Sequence, residues 1–326
     1  MKYAVTEETF ESISSYWLNP QNLLRWNCIF VLPNWLDIWW SKFGGGSDLF
    51  LRAVKEGEDL IGIAPLFVGG EKASFIGDPD VCDYLDFIVA PGREQEFFGT
   101  LLDHISHNGI RHLDLRPLRP DSTVFSNLTV VAKDRGWEVS RSREDVALEL
   151  DLPGTWDEYL LMLKGKQRHE IKRKLRRLHE AGDINYRVVA DIKEISEVMG
   201  TFFTLFGQSG GDKAAFMTAG MASFFNALAE AMAEVKLLKV YILELDAVPV
   251  AASMCFDYNS TIYLYNSGYD QQFSSLSVGV LCKALSIKDG IQRGRKKYDF
   301  MKGAETYKHR LGGKEVPLYR CQIQLK

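Results

Sequence analysis

Four side chains with acid–base or charged groups lie in or just after a short apolar stretch near the end of the chain. Asp299 lies in the run Tyr298–Met301, and Glu305, Tyr307 and Lys308 come just after it. A carboxylate among apolar residues has a raised pKa and can act as a base, and a tyrosine can protonate a leaving thiolate or alkoxide. A lysine can neutralise a phosphate or an oxyanion. The alternatives are a structural hydrogen-bond acceptor at Asp299 and a solvated surface charge at Lys308.

A second candidate segment lies upstream, where a polar loop leads into a helix. The loop begins near Gly268 and Tyr269, and Tyr269 is a further candidate proton donor. Small residues at the start of the helix let a ligand approach the unpaired backbone N–H groups of its first turn, which favour a phosphate or pyrophosphate. The alternative is that Ser277 is a plain N-cap. The candidate binding residues are Ser275, Ser277, Val278, Gly279 and Val280.

A basic segment at residues 164–179 carries eight lysine and arginine residues and one glutamate, a formal charge of +7. Because the whole chain has a net charge of −4, the remaining residues carry −11. The spacing of Ile171, Leu175 and Leu178 predicts a docked amphipathic helix with a cationic outer side. Arg168 and Lys172 on that side are candidates for binding coenzyme A phosphates. An RNA backbone or an anionic membrane surface would suit the same charge, and so would ordinary solvation.

Composition excludes several classes of protein. With 46 % hydrophobic and 25 % charged residues, the chain is neither disordered nor a disulfide miniprotein. Five scattered cysteines form no Cys-x-x-Cys pair, which predicts buried free thiols, no metal site and a cytoplasmic location. No apolar run is long enough for a membrane helix. The acidic net charge argues against DNA as a partner.

The two halves of the sequence repeat one order of elements. A hairpin, a strand, a helix ended by glycine and a further strand occur twice, and an aspartate lies five residues after the glycine in both Gly109–Asp114 and Gly294–Asp299. This pattern predicts an α/β (α+β) chain of two similar domains, residues 1–153 and residues 154–326. In detail it predicts a strand over 84–89, a strand over 111–115 ended by Pro117, and an irregular loop over 268–277.

Several runs of residues resemble one known family. They are LKGKQRHEIKRKLRRLHEAG, VPVAASMCF, YLYNSGYD with SSLSVGVLC, YDFMKGAETYK and, nearer the start, GIAPLF and DYLDFIVAPG. These runs are similar to the BioF2-like or CelD-like acetyltransferases, a branch of the GNAT superfamily related to the FemAB/FemX aminoacyl transferases.

The resemblance implies two tandem GNAT-like domains with mixed, partly open sheets, and acyl transfer from a thioester or an aminoacyl-tRNA to an amine. It places the donor pyrophosphate on residues 275–280 of the second domain, so the first domain would shape the acceptor cleft. The loop departs from the [Q/R]xxGx[G/A] pattern of GNAT proteins, because Leu276, Gly279 and Leu281 occupy the aligned positions.

Three functions follow as expectations. The first is an N-acyltransferase that uses acetyl-CoA or another acyl-CoA, without a metal, on a small-molecule, sugar, peptide or cell-envelope precursor amine. The second is a FemAB-like transferase that takes its acyl group from aminoacyl-tRNA. The third is a non-catalytic GNAT-like binding module, with peripheral membrane contact through residues 164–179.

Overall fold

The computed structural model of this chain describes residues 2–210 and 213–325. The chain divides into two compact units: residues 1–146 with 316–326, and residues 147–315. Each unit combines helices with a mixed sheet, which confirms the predicted α/β class. The last strand thus lies mostly with the first unit, whereas the sequence repeat divides the chain into 1–153 and 154–326. Whether the chain folds as those two domains stays a prediction.

The first unit is built around strands that are mostly antiparallel. Its elements are β1 (Ala4–Glu7), α1 (Phe10–Leu18), α2 (Pro33–Phe43), β2 (Asp48–Glu56), β3 (Asp59–Gly69), β4 (Lys72–Phe75), β5 (Ile88–Val89), α3 (Glu94–His107), β6 (His112–Leu118), α4 (Thr129–Asp134), the start of β7 (Glu138–Asp151) and most of β13 (Lys314–Gln324). A 3-10 helix at Ile29–Val31 and a π-helix at Val124–Leu128 complete the unit. The strand order is β1-β2-β3-β4-β6-β13, with β4 and β6 parallel, and β5 pairs with β3.

The second unit begins with the end of β7. Its further elements are α5 (Trp156–Met162), α6 (Gly165–Ala181), β8 (Ile184–Val189), α7 (Ile192–Gln208), α8 (Lys213–Phe216), α9 (Ala219–Glu234), β9 (Leu238–Leu245), β10 (Val248–Tyr258), β11 (Thr261–Tyr269), α10 (Val278–Gln292), β12 (Lys297–Lys302) and α11 (Thr306–Arg310). The strand order is β7-β12-β11-β10-β9-β8. Among these described strands, only β11 and β12 are parallel, and α10 connects them. Because α10 packs against β9, β10 and β11, most of its residues are buried.

The internal repeat is present in the structure. From β1 to β6 and from β8 to β12 the order is a strand, helices, three antiparallel strands, a helix and a strand, apart from the short β5 of the first unit. In both units the strand before the helix is parallel to the strand after it, as β4 and β6 and as β11 and β12. The repeated aspartates occupy equivalent positions, because Asp114 faces Ser74 and Asp299 faces Tyr263 at the last pair of each parallel ladder. Backbone geometry therefore reproduces the spacing that the sequence pattern indicated.

Three local expectations were wrong. Of the strand predicted over 84–89, only Ile88–Val89 forms a strand ladder, with β3. The preceding residues are irregular, although the Leu85 amide donates to the Pro117 carbonyl at 2.8 Å. The strand predicted over 111–115 continues through Pro117 to Leu118. The loop predicted over 268–277 is instead the end of β11 followed by a 3-10 helix at Gln271–Leu276.

Two global features bear on the setting of the protein. All five cysteines are buried and unbridged, as the sequence predicts for free thiols. Among residues 2–210 and 213–325, no helix combines the length and the apolar character needed to cross a membrane.

Candidate functional site

The parallel strands β11 and β12 pair over three residues and then separate. The ladder begins at Thr261 and Lys297 and ends at Tyr263 and Asp299. Beyond it, β11 continues to Tyr269 and β12 to Lys302. Because α10 follows β11, the N-terminus of α10 lies at the same end of the strands as this separation.

The first turn of α10 offers backbone donors. Ser277 has a left-handed backbone (φ 59°), and its side chain makes no capping hydrogen bond with the described residues, so the N-cap alternative for its hydroxyl is not realised. The carbonyl of Ser277 accepts from the amides of Val280 and Leu281, each at 3.0 Å. In the part of the chain that the structure describes, the amides of Val278 and Gly279 donate to no acceptor. Two unused donors at the positive end of a long helix can bind an anion.

The ring of Tyr269 leaves no room for a side chain at Gly279. A Cβ atom at this position would lie 2.8 Å from Cδ1 and 3.0 Å from Cγ of Tyr269. The Tyr269 ring thus explains the need for glycine at this position, and its backbone is held by two hydrogen bonds with Ser209. That the Gly279 amide binds a ligand stays a prediction. The ring and the glycine fix the end of β11 against the start of α10.

Asp299 is buried and holds a bulge in β12. Its Oδ1 accepts a 2.8 Å hydrogen bond from the amide of Met301, a residue with a left-handed backbone (φ 64°). The pairing of β12 with β7 shifts register between Asp299 and Lys302, so this hydrogen bond spans the irregular residues. The geometry matches the structural alternative for Asp299, and a catalytic role stays a prediction.

Lys308 is also buried, at 2 % exposure, so the surface alternative is wrong. Its ammonium donates to the carbonyls of Met301, Lys302 and Gly303 and pairs with Glu305 at 2.9 Å. Lys308 therefore ties α11 to the end of β12. Glu305 is exposed, and its carboxylate stays within reach of water.

Tyr307 belongs to α11, and its ring lies next to Lys283 of α10. The Lys283 ammonium, which donates to the carbonyl of Gly279 at 3.1 Å, is 4.8 Å from the centre of the Tyr307 ring. Burial raises the pKa of Tyr307 well above its usual range, and the negative charge of Glu305 adds to this effect. The Tyr307 hydroxyl thus keeps its proton at neutral pH.

A first cavity of about 340 Å³ lies between α6, the first turn of α10 and α11. Among its described lining residues only Glu170 is acidic, and Lys174 and Arg173 both pair with it. Lys166 and Arg310 have no carboxylate partner among the described residues, so the cavity is cationic. Its lining residues are Lys166, Gln167, Glu170, Ile171, Lys174, Val280, Tyr307, Arg310 and Leu311.

A second cavity of about 480 Å³ lies beside it, between the end of α5, the start of α6 and α11. It shares Gln167 and Arg310 with the first cavity. The Oε1 atom of Gln167 is buried and accepts no hydrogen bond from the described residues. The lining residues of the second cavity are Met162, Leu163, Lys164, Gln167, Thr306, His309, Arg310, Gly312 and Gly313.

The structure brings some of the candidate residues together and not others. Val280 and Tyr307 line the first cavity, and Val278 and Gly279 begin the same helix as Val280. Asp299, Glu305 and Lys308 cluster at the end of β12 but line neither cavity. Ser275 is exposed on the 3-10 helix before α10, and Ser277 joins that helix to α10.

Arg168 and Lys172 lie on α6 outside both cavities. The basic segment is an amphipathic helix, as predicted, with Ile171 and Leu178 buried. The cations that line the cavities are instead Lys164, Lys166, Lys174 and Arg310, and Lys283 lies next to Tyr307. Helical periodicity places Lys166 and Arg168 on different faces of α6. It does not show which of these faces lines the cavities.

A known protein family matches most of the second unit. Residues 165–309, from α6 into α11, match the model of an acetyltransferase (GNAT) domain. No curated protein sequence matches the chain.

Solved structures share the fold along nearly the whole chain. The crystal structure of FemX is 12 % identical, with a TM-score of 0.65 over 98 % of this chain and 96 % of that chain. A conserved protein of unknown function from Bacteroides thetaiotaomicron is 14 % identical, with a TM-score of 0.60 over 99 % of both chains. The C-terminal domain of a putative lysylphosphatidylglycerol synthetase from Agrobacterium fabrum is 10 % identical, with a TM-score of 0.56 over 86 % of this chain and 84 % of that chain. The family match confirms the predicted GNAT acetyltransferase domain over residues 165–309. The solved structures confirm the predicted fold.

Proposed function

We propose that this chain, which carries an acetyltransferase domain of the GNAT type, transfers an acyl group from an acyl-CoA to an amine. The acceptor is a small molecule, a sugar or a peptide, including a cell-envelope precursor. The observation that carries this proposal is the separation of β11 and β12 next to the unused amides of Val278 and Gly279. A thioester arm fits between separated strands, and its pyrophosphate fits the helix N-terminus.

The charge of the first cavity supports the same donor. Lys166 and Arg310 line it without carboxylate partners among the described residues, and Val280 connects it to the first turn of α10. Coenzyme A carries a pyrophosphate and a further phosphate, so it needs cationic side chains in addition to the two neutral amide donors. We therefore place its phosphates at the start of α10 and on Lys166.

The reaction needs no covalent enzyme intermediate. The neutral amine attacks the thioester carbonyl carbon, a C–N bond forms, and the C–S bond breaks as the tetrahedral intermediate collapses. The amine loses a proton to water near the exposed Glu305 carboxylate, and the thiolate takes a proton from the Tyr307 hydroxyl. The tyrosinate left at Tyr307 then regains a proton from water. The Val278 and Gly279 amides and Lys166 hold the donor during these steps.

Calorimetric titration with acetyl-CoA and free CoA tests the donor. We expect saturable binding by the wild-type protein, and Lys166→Ala should weaken it about tenfold by removing one phosphate contact. The matched control is Lys193→Ala, because Lys193 is exposed on α7 and lies outside both cavities. No binding of any CoA, or equal weakening in the control, would contradict the proposal.

A second donor is favoured by the outward face of α6. Arg168, Lys172 and Arg177 have no carboxylate partners in the described part of the chain, and such a face suits the phosphate backbone of an aminoacyl-tRNA. Affinity for tRNA should then fall steeply between low and physiological salt, and Arg168→Ala with Lys172→Ala should flatten that dependence. Both donors are made in the cytoplasm, which is where we place the reaction.

A further inference from the structure

We propose that the second cavity binds the acceptor, and that the acceptor is an amine which also carries a carboxylate or phosphate group. The inference rests on the proposed function, because it assigns the second substrate of the same reaction. Two independent features of the cavity carry it. The cations at its walls have no carboxylate partner among the described residues, and a buried amide oxygen accepts no hydrogen bond from those residues.

The cations define one end of the ligand. Lys164 and Arg310 line the second cavity, and neither has a carboxylate partner among the described residues. The other ionisable residue of the described lining is His309, which lies 3.7 Å from Glu315. Because none of the described lining residues is acidic, the cavity favours an anionic group, and carboxylate and phosphate are the anions that lysine and arginine bind best.

Gln167 defines the other end. Its Oε1 is buried and unpaired within the described residues, although a buried acceptor without a donor is destabilising. An amine supplies the missing N–H donor without adding a second anion. A ligand that meets both requirements carries an anion for Lys164 and Arg310 and an N–H group for Gln167.

The position of Gln167 relates this ligand to the reaction. Gln167 and Arg310 line both cavities, so an amine bound to Gln167 lies at the boundary with the first cavity. Tyr307, the proposed proton donor to the leaving thiolate, lines that first cavity. Gln167 is thus a positioning residue for the nucleophile.

The same chemistry occurs in free metabolites and in aminophospholipid headgroups. Leu161 and Met162, at the end of α5, are 69 % and 51 % exposed, and Met162 lines the second cavity. Exposed apolar side chains beside lysines are typical of surfaces that contact lipid. The experiment therefore has one arm for each source.

The first arm is calorimetry without any acyl donor. We expect 2-aminoethyl phosphate to bind at least tenfold more tightly than ethanolamine or inorganic phosphate, and 4-aminobutyrate to show the same order against butylamine and butyrate. Lys164→Ala should remove most of that advantage, whereas Lys193→Ala should not. Gln167→Leu should weaken the amino compounds but not inorganic phosphate, and Gln167→Glu, which keeps an acceptor, should retain them.

The second arm is sedimentation with vesicles of phosphatidylcholine, with or without phosphatidylethanolamine. Binding that needs phosphatidylethanolamine and Lys164 assigns the lipid source, and binding of the free compounds alone assigns the small-molecule source; both support the inference. It is overturned if neither amino compound exceeds its fragments in affinity and phosphatidylethanolamine does not increase binding to the vesicles. Because acetyl-CoA binding is measured separately, that result leaves the proposed donor standing, and loss of CoA binding alone leaves the acceptor site standing.

Discussion

The amide of Met301 donates a 2.8 Å hydrogen bond to the carboxylate of Asp299, across the bulge that ends the regular part of β12. Met301 has a left-handed backbone, which a residue with a side chain adopts only when its surroundings hold it there. Asp299 is among the groups that do so. The same carboxylate is the one that the sequence presents as a candidate base.

We predict that Asp299→Ala lowers the free energy of unfolding by about 1–3 kcal/mol, because a buried amide loses its acceptor. Asp299→Asn keeps an oxygen at that position and should cost less than the alanine variant. Urea unfolding of both variants measures the difference. Normal stability together with lost turnover would instead assign Asp299 to catalysis.

Lys308→Met should be more damaging, since it leaves the carbonyls of Met301 and Gly303 without their donor. We expect a loss of about 3 kcal/mol, because each buried carbonyl left without a donor costs about 1–3 kcal/mol. Glu305→Gln is the matched control, because Glu305 is exposed and its ion pair with Lys308 contributes less than about 1 kcal/mol. Equal losses in the two variants, measured by urea unfolding, would contradict the structural role.

The order of the elements was predictable because it depends on local patterns. The repeated order of elements predicted a helix before Gly109 and another before Gly294. The helices α3 and α10 lie there, and both glycines have left-handed backbones. The paired aspartates of the two units also follow from spacing alone. Turn residues and periodicity act over a few residues, which is why they can be interpreted without tertiary contacts.

The site was only partly predictable because its geometry depends on distant contacts. Lys308 resembles a surface residue in sequence, and its burial follows from carbonyls that turn toward it after a bulge. Arg310 and Lys166 face the first cavity because α6 packs near α10 and α11, which no local pattern specifies. The amides of Val278 and Gly279 are unpaired among the described residues, as expected at the start of a helix, and their binding of a ligand stays a prediction.

Gly279→Ala should destabilise the protein even when no ligand is present. The new methyl group would lie 2.8 Å from the Tyr269 ring, and relief of such overlap costs about 1–3 kcal/mol. Removing the ring in Gly279→Ala/Tyr269→Ala should cost less than the sum of the single variants. A double-mutant cycle of unfolding free energies tests this, and simple additivity would show that the two residues do not interact.

Asp86 in the first unit predicts a pH dependence of stability. Burial raises its pKa to about 6, against hydrogen bonds from Thr123 and the Phe87 amide that lower it. The folded chain therefore keeps this proton to higher pH than the unfolded chain, whose carboxyl has a pKa of about 3.9. Between those two values a rise in pH removes stability, by about 3 kcal/mol in total.

The measurement is chemical unfolding of the wild type and of Asp86→Asn from pH 4 to pH 7. Other carboxyls titrate in both proteins, so the difference between the two curves isolates Asp86. We expect the free energy of unfolding of Asp86→Asn to increase relative to that of the wild type as the pH rises. A constant difference across this range would contradict the raised pKa.

Tyr307→Phe should separate proton donation from binding. The variant keeps the ring beside Lys283 and removes only the hydroxyl, so acetyl-CoA affinity and stability should stay within about twofold and 1 kcal/mol of wild type. Turnover, followed as thiol released from acetyl-CoA in the presence of an amine, should fall about 100-fold if the hydroxyl protonates the leaving thiolate.

Because burial and the charge of Glu305 raise the pKa of Tyr307, wild-type turnover should not decline through loss of this proton below about pH 10. Tyr269→Phe tests the other candidate donor, and a large fall there with an unchanged Tyr307→Phe variant would transfer the role to Tyr269.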